Sequence, residues 1–266
     1  MTTNGNAGLP QALKEKILSG LSAQKGHVGF YYKNLVTGEE LGYQEKEAFW
    51  AASVIKLPIF MCISKWDAEG KASMAETLTV HQEDKLPICG ALTLFTGEPV
   101  VDLQTLCNLM ISLSDNAATN LLIKRFGIPA YEAEFQKLGL SGTKLNRLLF
   151  DAEASAKGIE NYIVPREMGM LLEQIYRRTF VSEAVSKAIE DTLLLQQINH
   201  KICGIIQEEV PVAHKTGEDE DLTNDVGLIY AKQPFVACFA GHDTSVPEFE
   251  DFIRHTSADL FEVCQK

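Results

Sequence analysis

Strand-like segments in this chain lie near its two ends, and a long stretch with helical periodicity separates them. Residues 27–44 are rich in aromatic and β-branched side chains around a Thr-Gly turn, which predicts a β-hairpin. Three short apolar runs after residue 209 (VPVAHKT, DVGLIYAK and FVACFAGH) predict three more strands. Between residues 52 and 200, apolar residues recur with the spacing of amphipathic helices. The first and last parts of the chain are therefore expected to share one antiparallel sheet.

Helical patterns flank this sheet at both termini, over residues 10–21 and 246–264. We predict a single two-lobed α/β + α domain. Its first lobe, residues 1–50 plus 205–266, would hold the antiparallel sheet covered by the terminal helices, and its second lobe, residues 51–204, would be all-helical. A cleft between two such lobes is where a ligand site is expected.

Charge and hydropathy exclude several classes of function. The formal net charge is −12 and the sequence pI is about 5.0, and such a field repels phosphate backbones, which disfavours nucleic acid as a partner. No apolar run approaches the roughly 20 residues that a membrane span needs, and MTTNGNAGLPQALKEK lacks the apolar core of a signal peptide. As the sequence stands we expect a cytoplasmic monomer that acts on a small molecule. A secreted or periplasmic protein is expected only if a leader was removed.

The cysteines give no sign of a metal centre. The six of them are scattered without a C-x-x-C pair, so zinc-ligand spacing is absent, and no cofactor or metal is expected. Reduced thiols at mostly buried positions are the favoured interpretation. A disulfide between Cys62 and Cys107 stays open at this stage.

Three short motifs carry the chemistry. S-x-x-K occurs three times, starting at Ser22, Ser53 and Ser141, so by itself it decides nothing. Ser-Asp-Asn at 114–116 and Lys-Thr-Gly at 215–217 each occur once. A given tripeptide is expected by chance in only about a few per cent of chains this long, so the set is informative even though its first member is not.

These motifs, in this order, are the signature of class A β-lactamases and penicillin-binding proteins. The chain resembles that family, class A most closely, and the similarity continues through LSDNAATNLLI, the KLNR segment at 144–147 and the helix that starts at Pro165. The family's spacing selects Ser53, about 60 residues before Ser114, over the other S-x-x-K serines. The resemblance implies a serine hydrolase that cleaves an amide such as a β-lactam through an acyl-Ser53 intermediate.

A lysine at this spacing suits the activation of a serine. A serine hydroxyl is a weak nucleophile until a base removes its proton, and Lys56 lies one helical turn after Ser53 on the same face. Burial and a second cation, for which Lys215 is the candidate, would lower the pKa of Lys56 and make its neutral amine a base. The Ser114 hydroxyl both donates and accepts, so it suits the relay of a proton to the leaving nitrogen. The alternative is that Ser53 only caps a helix and that Lys56 is solvated.

The remaining motif residues suit substrate binding. Asn116 offers a donor and an acceptor to a substrate amide. Thr216 and Lys215 offer a hydroxyl donor and a positive charge to a carboxylate. Gly217 would let the edge of a strand approach the substrate closely.

The chain departs from the family in its Ω-loop, which we define as residues 147–161. The family has a glutamate two residues after the loop arginine, and it activates the water that hydrolyses the acyl-enzyme. Here the arginine is Arg147 and the residue in question is Leu149, which has no acid–base chemistry. Asn161 stands where the family closes the loop with an aspartate. Asp151 and Glu153 are the nearest carboxylates that could replace the glutamate, although a solvated acidic loop would look the same.

A second departure follows Lys-Thr-Gly. The resemblance places the oxyanion hole on the backbone N–H groups of Ser53 and Glu218. Glu218 opens a run of four acidic residues, 218–221, where the family has small ones. These carboxylates would repel a penicillin carboxylate and suit a neutral or cationic substrate, unless they form only a solvated turn. His214, just before the motif, is expected to be a strand residue without a direct role.

Because acylation chemistry is intact and the deacylating glutamate is absent, alternatives to a hydrolase stay open at this stage. One is a transacylase, peptidase or esterase that acts on an amide or ester other than a β-lactam. Another is a penicillin-binding sensor that acylates once and stops.

Overall fold

A computed structural model describes residues 8–86, 89–206 and 210–266 of the chain. The strands are β1 (His27–Asn34), β2 (Glu40–Tyr43), β3 (Phe49–Trp50), β4 (Thr77–Thr79), β5 (Val100–Asp102), β6 (Tyr162–Ile163), β7 (Val212–Asp219), β8 (Leu222–Ile229) and β9 (Phe235–His242). The helices are α1 (Gln11–Ser22), α2 (Lys56–Ala68), α3 (Leu103–Ser112), α4 (Asn116–Phe126), α5 (Ile128–Lys137), α6 (Ala152–Ala156), α7 (Pro165–Tyr176), α8 (Glu183–Leu193), α9 (Cys203–Ile206) and α10 (Val246–Cys264). None of the helices in these ranges combines the length and the apolar composition that crossing a membrane requires.

Both ends of the chain contribute to one antiparallel sheet, with the strand order β2-β1-β9-β8-β7. β1 pairs with β9 along its whole length, from His27 opposite His242 to Asn34 opposite Phe235. This pairing joins the N-terminal hairpin to the C-terminal strands and confirms the predicted α/β + α fold. β7 lies at the edge of the sheet, so half of its backbone groups face away from β8 and are open to a ligand.

The sheet has a buried layer on each face. Along β1, Phe30 and Tyr32 belong to the core shared with α1 and α10, whereas Tyr31 belongs to the core of the helical lobe. Successive side chains of a strand point to opposite faces, so a strand buried on both sides shows no polar alternation. This explains why the strand segments read as nearly continuous apolar runs.

α2 is the central helix of the second lobe. Its residues from Lys56 to Ser64 are all buried, which fits an apolar run without a polar face. Pro58 is tolerated because it lies in the first turn, where a backbone N–H has no helical partner. Within residues 51–204 the structure also contains strands that periodicity did not predict: β4 pairs with β5, and β6 pairs with β3. The lobe boundaries at 50/51 and 204/205 stay a prediction.

The cysteines are free thiols, and all but Cys89 are buried. Cys62 and Cys107 therefore form no disulfide, which resolves the alternative that the sequence left open.

Candidate active site

The predicted catalytic residues surround one cavity between β7, the start of α2 and the Ω-loop. The cavity encloses about 540 Å³, and Ser53, Ser114, Asn116, Thr216 and Gly217 are among the residues that line it. Lys56 and Lys215 lie beneath this lining, fully buried. Motifs more than 160 residues apart in the sequence are thus brought to one place.

Ser53 lies in a 3₁₀ turn, Ala52–Ile55, that leads from β3 into α2. Lys56 begins α2, and its Nζ lies 2.8 Å from Ser53 Oγ, as the spacing predicted. Ala52, just before the nucleophile, has a φ of +39°. An L-residue held in this region costs on the order of 1–3 kcal/mol, and such strain is concentrated at functional sites.

Lys56 is held by three acceptors besides Ser53. Its Nζ lies 2.8 Å from the Ser114 carbonyl oxygen, 3.0 Å from Ser114 Oγ and 2.7 Å from Asn116 Oδ1. Burial, and secondly the charge of Lys215, hold the pKa of Lys56 well below the usual range of a lysine. A lowered pKa increases the fraction of Lys56 whose amine is neutral, and a neutral amine can accept the Ser53 proton.

Ser114 is placed between two lysines by a turn with a φ of +55°. Its Oγ lies 3.0 Å from Lys56 Nζ and 3.1 Å from Lys215 Nζ. The next residue, Asp115, caps α4 by accepting a hydrogen bond from the Ala118 N–H at 2.9 Å. Ser-Asp-Asn is therefore a helix cap as well as a site motif, and the cap orients the hydroxyl between the two amines.

Lys215 projects from β7 into the buried layer under Ser114. Its Nζ also donates to the Thr216 carbonyl at 2.8 Å. Burial, and secondly the charge of Lys201, lower the pKa of Lys215 to about 7. The positive charge of Lys215, which would bind a substrate carboxylate, is therefore lost as the pH rises through about 7.

Gly217 lets β7 approach the nucleophile. A Cβ atom at this position would lie 3.0 Å from the Ala51 carbonyl oxygen and 3.1 Å from the Ser53 nitrogen, too close for any other residue without movement. The backbone of Glu218 follows directly on the same strand. The two N–H groups predicted to form the oxyanion hole are therefore on adjoining segments.

Lys201 belongs to the site and was missed by the sequence analysis. It is fully buried, and its Nζ lies 3.1 Å from the carbonyl oxygens of Gly217 and Asn224 and 3.0 Å from Glu218 Oε1. Asn224 in turn donates from Nδ2 to the Ala51 carbonyl at 3.1 Å. Lys201 and Asn224 thereby tie β7 and β8 to the segment before Ser53. The only signal in the sequence was a lysine in an apolar context.

Three side chains near the end of β7 converge in a way that the sequence spacing did not indicate. One ligand atom each of His200, Glu218 and Glu250 lie within 4.8 Å of one another. The ammonium of Lys201 lies 3.0 Å from Glu218 and 4.0 Å from Glu250. A cation of the protein itself therefore already compensates these carboxylates.

Asn161 closes the neck of the Ω-loop in place of an aspartate. Its Oδ1 accepts from the backbone N–H groups of Asn146 and Arg147 at 2.7 and 3.0 Å. Its carbonyl accepts from the Ala51 N–H at 2.8 Å, two residues before the nucleophile. Arg147 forms an ion pair with Glu160, with Nη2 and Oε2 2.5 Å apart. The neck is therefore closed by an amide and an ion pair.

Leu149 lines the cavity, held by Asn120, whose side-chain amide exchanges two 2.9 Å hydrogen bonds with the backbone of Leu149. Of the two predicted substitutes for the missing glutamate, Asp151 also lines the cavity. Glu153 does not: its side chain is 83% exposed and pairs with Lys157, the residue that follows α6. The candidacy of Glu153 as a base is therefore corrected, because its helix directs it to solvent.

The acidic run after Lys-Thr-Gly is only partly a turn. β7 continues through Asp219, which pairs with Leu222, so the turn itself is Glu220 and Asp221. Glu218 and Asp219 line the cavity, and the two turn residues do not. The prediction of a solvated turn therefore holds for Glu220 and Asp221 only.

His214 is a buried strand residue, as predicted. Its Nδ1 lies 2.9 Å from Asp225 Oδ1, and its Nε2 lies 2.9 Å from Asn199 Oδ1. These contacts anchor the segment that carries Lys201 against the sheet. His214 does not line the cavity.

Comparison with known proteins identifies relatives over nearly the whole chain. A family model described as the β-lactamase enzyme family matches residues 11–264. The β-lactamase ROB-1 of Haemophilus influenzae is 26% identical over 229 residues, which cover 82% of this chain and 72% of that protein.

Solved structures give the same result. The structure of PBP-A superposes with a TM-score of 0.86 at 27% identity and covers 96% of this chain and 98% of PBP-A. A leucine-to-glutamate variant of PBP-A, solved as an acyl-enzyme complex with penicillin G, superposes with a TM-score of 0.86 at 26% identity and with the same coverage.

Proposed function

The chain belongs to the β-lactamase enzyme family, and from this premise we propose that it opens a β-lactam or a related amide through an ester on Ser53. It is a class A β-lactamase-like serine hydrolase. The observation that carries the proposal is the position of Lys56 Nζ, within 3.0 Å of the hydroxyl oxygens of both Ser53 and Ser114. One amine thus contacts the proposed nucleophile and the proposed proton relay.

In the proposed acylation step, Lys56 accepts the Ser53 proton as Oγ attacks the carbonyl carbon of the substrate. The backbone N–H groups of Ser53 and Glu218 stabilise the negative charge that develops on the carbonyl oxygen. The proton then passes from Lys56 through Ser114 to the leaving nitrogen, and the C–N bond breaks. The products of this step are an ester on Ser53 and a neutral amine that carries the former Ser53 proton, and Lys56 is neutral again.

Substrate positioning falls to the other motif residues. The Asn116 amide is proposed to bind the substrate amide. Thr216 and Lys215 are proposed to bind a carboxylate. The partner is therefore a small molecule, and the net charge of −12 argues against nucleic acid. We propose that a single copy of the chain suffices, because every residue invoked comes from one chain.

The second step is where this chain is expected to be slow. Leu149 cannot accept a proton from water, and Asp151 is the remaining loop carboxylate on the cavity wall. Its Oδ1 accepts a hydrogen bond from the Ala154 N–H at 2.9 Å, which leaves Oδ2 for a water. We propose Asp151 as a weak deacylation base. The sensor alternative differs from a hydrolase only at this step, whereas the transacylase alternative differs in its substrate as well.

The test is intact-protein mass against time after mixing with penicillin G and, separately, a chromogenic cephalosporin, with product absorbance followed in parallel. We expect an adduct on Ser53 that forms quickly and clears slowly while product accumulates. Ser53→Ala should abolish the adduct. Ser22→Ala and Ser141→Ala are matched controls that should retain it, since these hydroxyls bond Ser19 and Glu167 away from the cavity. An adduct that persists in Ser53→Ala would refute the assignment.

A further inference from the structure

The wall of the cavity formed by β7 ends in a carboxylate without a counter-ion. Asp219 lies two residues after Gly217, so its side chain projects from the same strand face, about 6.6 Å further along the strand. Gly217 is the residue that contacts the backbone of Ser53. Asp219 is exposed, its side chain accepts a hydrogen bond from the Glu220 N–H, and it forms no ion pair with any residue that the structure describes. Its negative charge therefore faces the entrance uncompensated.

The Ω-loop presents a second carboxylate of this kind from the opposite wall. Asp151 lines the same cavity, and its side chain caps α6 by accepting a hydrogen bond from the Ala154 N–H at 2.9 Å. Within residues 8–86, 89–206 and 210–266, no lysine, arginine or histidine pairs with it. A substrate that enters between the loop and β7 passes between these two charges.

The cations near the cavity are already engaged. The ammonium of Lys201 pairs with Glu218, and the guanidinium of Arg147 pairs with Glu160. Lys56 and Lys215 lie beneath the cavity and are bonded to Ser114. The entrance is therefore negative, although the floor of the site carries amines.

We propose that Asp151 and Asp219 select substrates whose acyl side chain carries a positive charge and slow acylation by substrates with a second carboxylate there. This inference rests on the proposed acylation of Ser53 and adds a substrate class to it. We take a substrate charge about 7 Å from a carboxylate, with an effective dielectric constant between that of a protein surface and that of bulk water. Each carboxylate should then change the acylation rate by roughly threefold to tenfold. The effect is largest at low ionic strength, because added salt screens charges at this distance.

Three penicillins with one ring system test the proposal. Ampicillin carries an ammonium on its acyl side chain, benzylpenicillin carries hydrogen at that carbon, and carbenicillin carries a carboxylate. The second-order rate constant of acylation is measured by intact-protein mass at low salt and about pH 6.5, where an α-amino group is protonated and carboxylates are ionised. We expect this rate constant to decrease in the order ampicillin, benzylpenicillin, carbenicillin. The ratio between ampicillin and carbenicillin should become smaller at high salt.

Variants assign the effect to the two carboxylates. Asp219→Asn should lower the ratio of the ampicillin rate to the carbenicillin rate by about tenfold to 100-fold, because one carboxylate speeds the first and slows the second, each by about threefold to tenfold. The double variant with Asp151→Asn should bring the ratio close to one. Asp221→Asn is the matched control, because it removes the same charge from the adjoining turn without altering the cavity lining, and it should keep most of this ratio. Thermal unfolding of each variant verifies that the fold is intact.

The outcomes separate this inference from the function on which it rests. Equal acylation rates for the three penicillins, or an order that persists unchanged in the double variant, would overturn the selection by charge and leave the serine hydrolase standing. Failure of all three penicillins to acylate the protein would overturn the proposed function and this inference together.

Discussion

The two walls of the active-site cavity are built differently. On the side of α2 and α4, Lys56 is fully buried and its amine contacts Ser53, Ser114 and Asn116. On the side of the Ω-loop, Leu149 supplies an apolar surface, and the carboxylate of Asp151 is held by one cap hydrogen bond. The first wall is a dense buried network of side chains, whereas Leu149 and Asp151 on the second wall are only half-buried. The contrast indicates that the structure constrains acylation far more tightly than deacylation.

The largest expected effect is on deacylation, when a base is placed on the Ω-loop side of the cavity. We expect Leu149→Glu to raise the rate of deacylation on the order of 100-fold, since general base catalysis contributes about 10²- to 10⁴-fold. The Asn120 amide holds the backbone of Leu149 and should keep it in place in the variant. The measurement is the clearance of the penicillin adduct by mass, together with steady-state turnover.

Leu149→Gln is the control for this substitution, because it has the same shape as glutamate without a basic carboxylate. It should leave the deacylation rate close to that of the unaltered protein. Equal acceleration by both variants would show that polarity or altered packing at this position, and not proton transfer, limits the second step.

The titration of the buried lysines Lys215 and Lys56 is expected to determine how the acylation rate depends on pH. The pKa of Lys215 is lowered to about 7, so its charge is present below that pH and lost above it. Acylation by an anionic penicillin should therefore fall as the pH rises through about 7, by about tenfold per pH unit while the protonated form is required. At low pH the rate should fall again as Lys56 becomes protonated.

Lys215→Arg sharpens this prediction, because a guanidinium stays charged at every accessible pH. The alkaline fall in the second-order acylation rate constant should disappear in this variant, while the acid limb remains. If the alkaline limb persists, a group other than Lys215 titrates there.

The smallest expected effect is on the free energy of unfolding, when the ion pair between Glu218 and Lys201 is removed. Glu218→Gln removes the nearer of the two carboxylates beside the buried Lys201, which then keeps its two carbonyl acceptors and Glu250 at 4.0 Å. Because the Glu218 side chain is 44% exposed and its charge is screened, we expect the free energy of unfolding to fall by only about 1 kcal/mol. Urea unfolding measures it.

Glu220→Gln removes an equivalent charge from the adjoining exposed turn and should change the free energy of unfolding by less than about 0.5 kcal/mol. Equal losses in the two variants would mean that the carbonyl oxygens of Gly217 and Asn224 are enough for Lys201.

The proximity of the residues on the acylation wall could be predicted because the sequence information for it is local. Ser53 and Lys56 are three residues apart, and this spacing brings them together both in an α-helix and in the 3₁₀ turn that is actually present. Ser114 is oriented by the cap that the adjacent Asp115 forms. That both ends of the chain share one antiparallel sheet was predictable for a similar reason, since strand patterns at each end need partners for their backbone groups.

The residues that sequence reasoning missed depend on contacts distant in the chain. Lys201 acquires its role only because β7 and β8 bring two carbonyl oxygens over it, and no periodicity marks such a position. Asp151 and Glu153 could not be ranked from sequence because both lie in a short acidic segment. Only the cap of α6 turns Asp151 toward the cavity and leaves Glu153 in solvent.

The closed neck of the Ω-loop divides that loop into two parts with different freedom to change. At the neck, the hydrogen bond from the Ala51 N–H to the Asn161 carbonyl couples the loop directly to the segment that carries Ser53. At the tip, residues 152–159 are mostly exposed and bonded among themselves. The length and the side chains of the tip can therefore be varied, because exposed loop tips tolerate insertions. A laboratory or natural lineage could acquire a new acyl acceptor there without disturbing the nucleophile, provided that Arg147, Glu160 and Asn161 are kept.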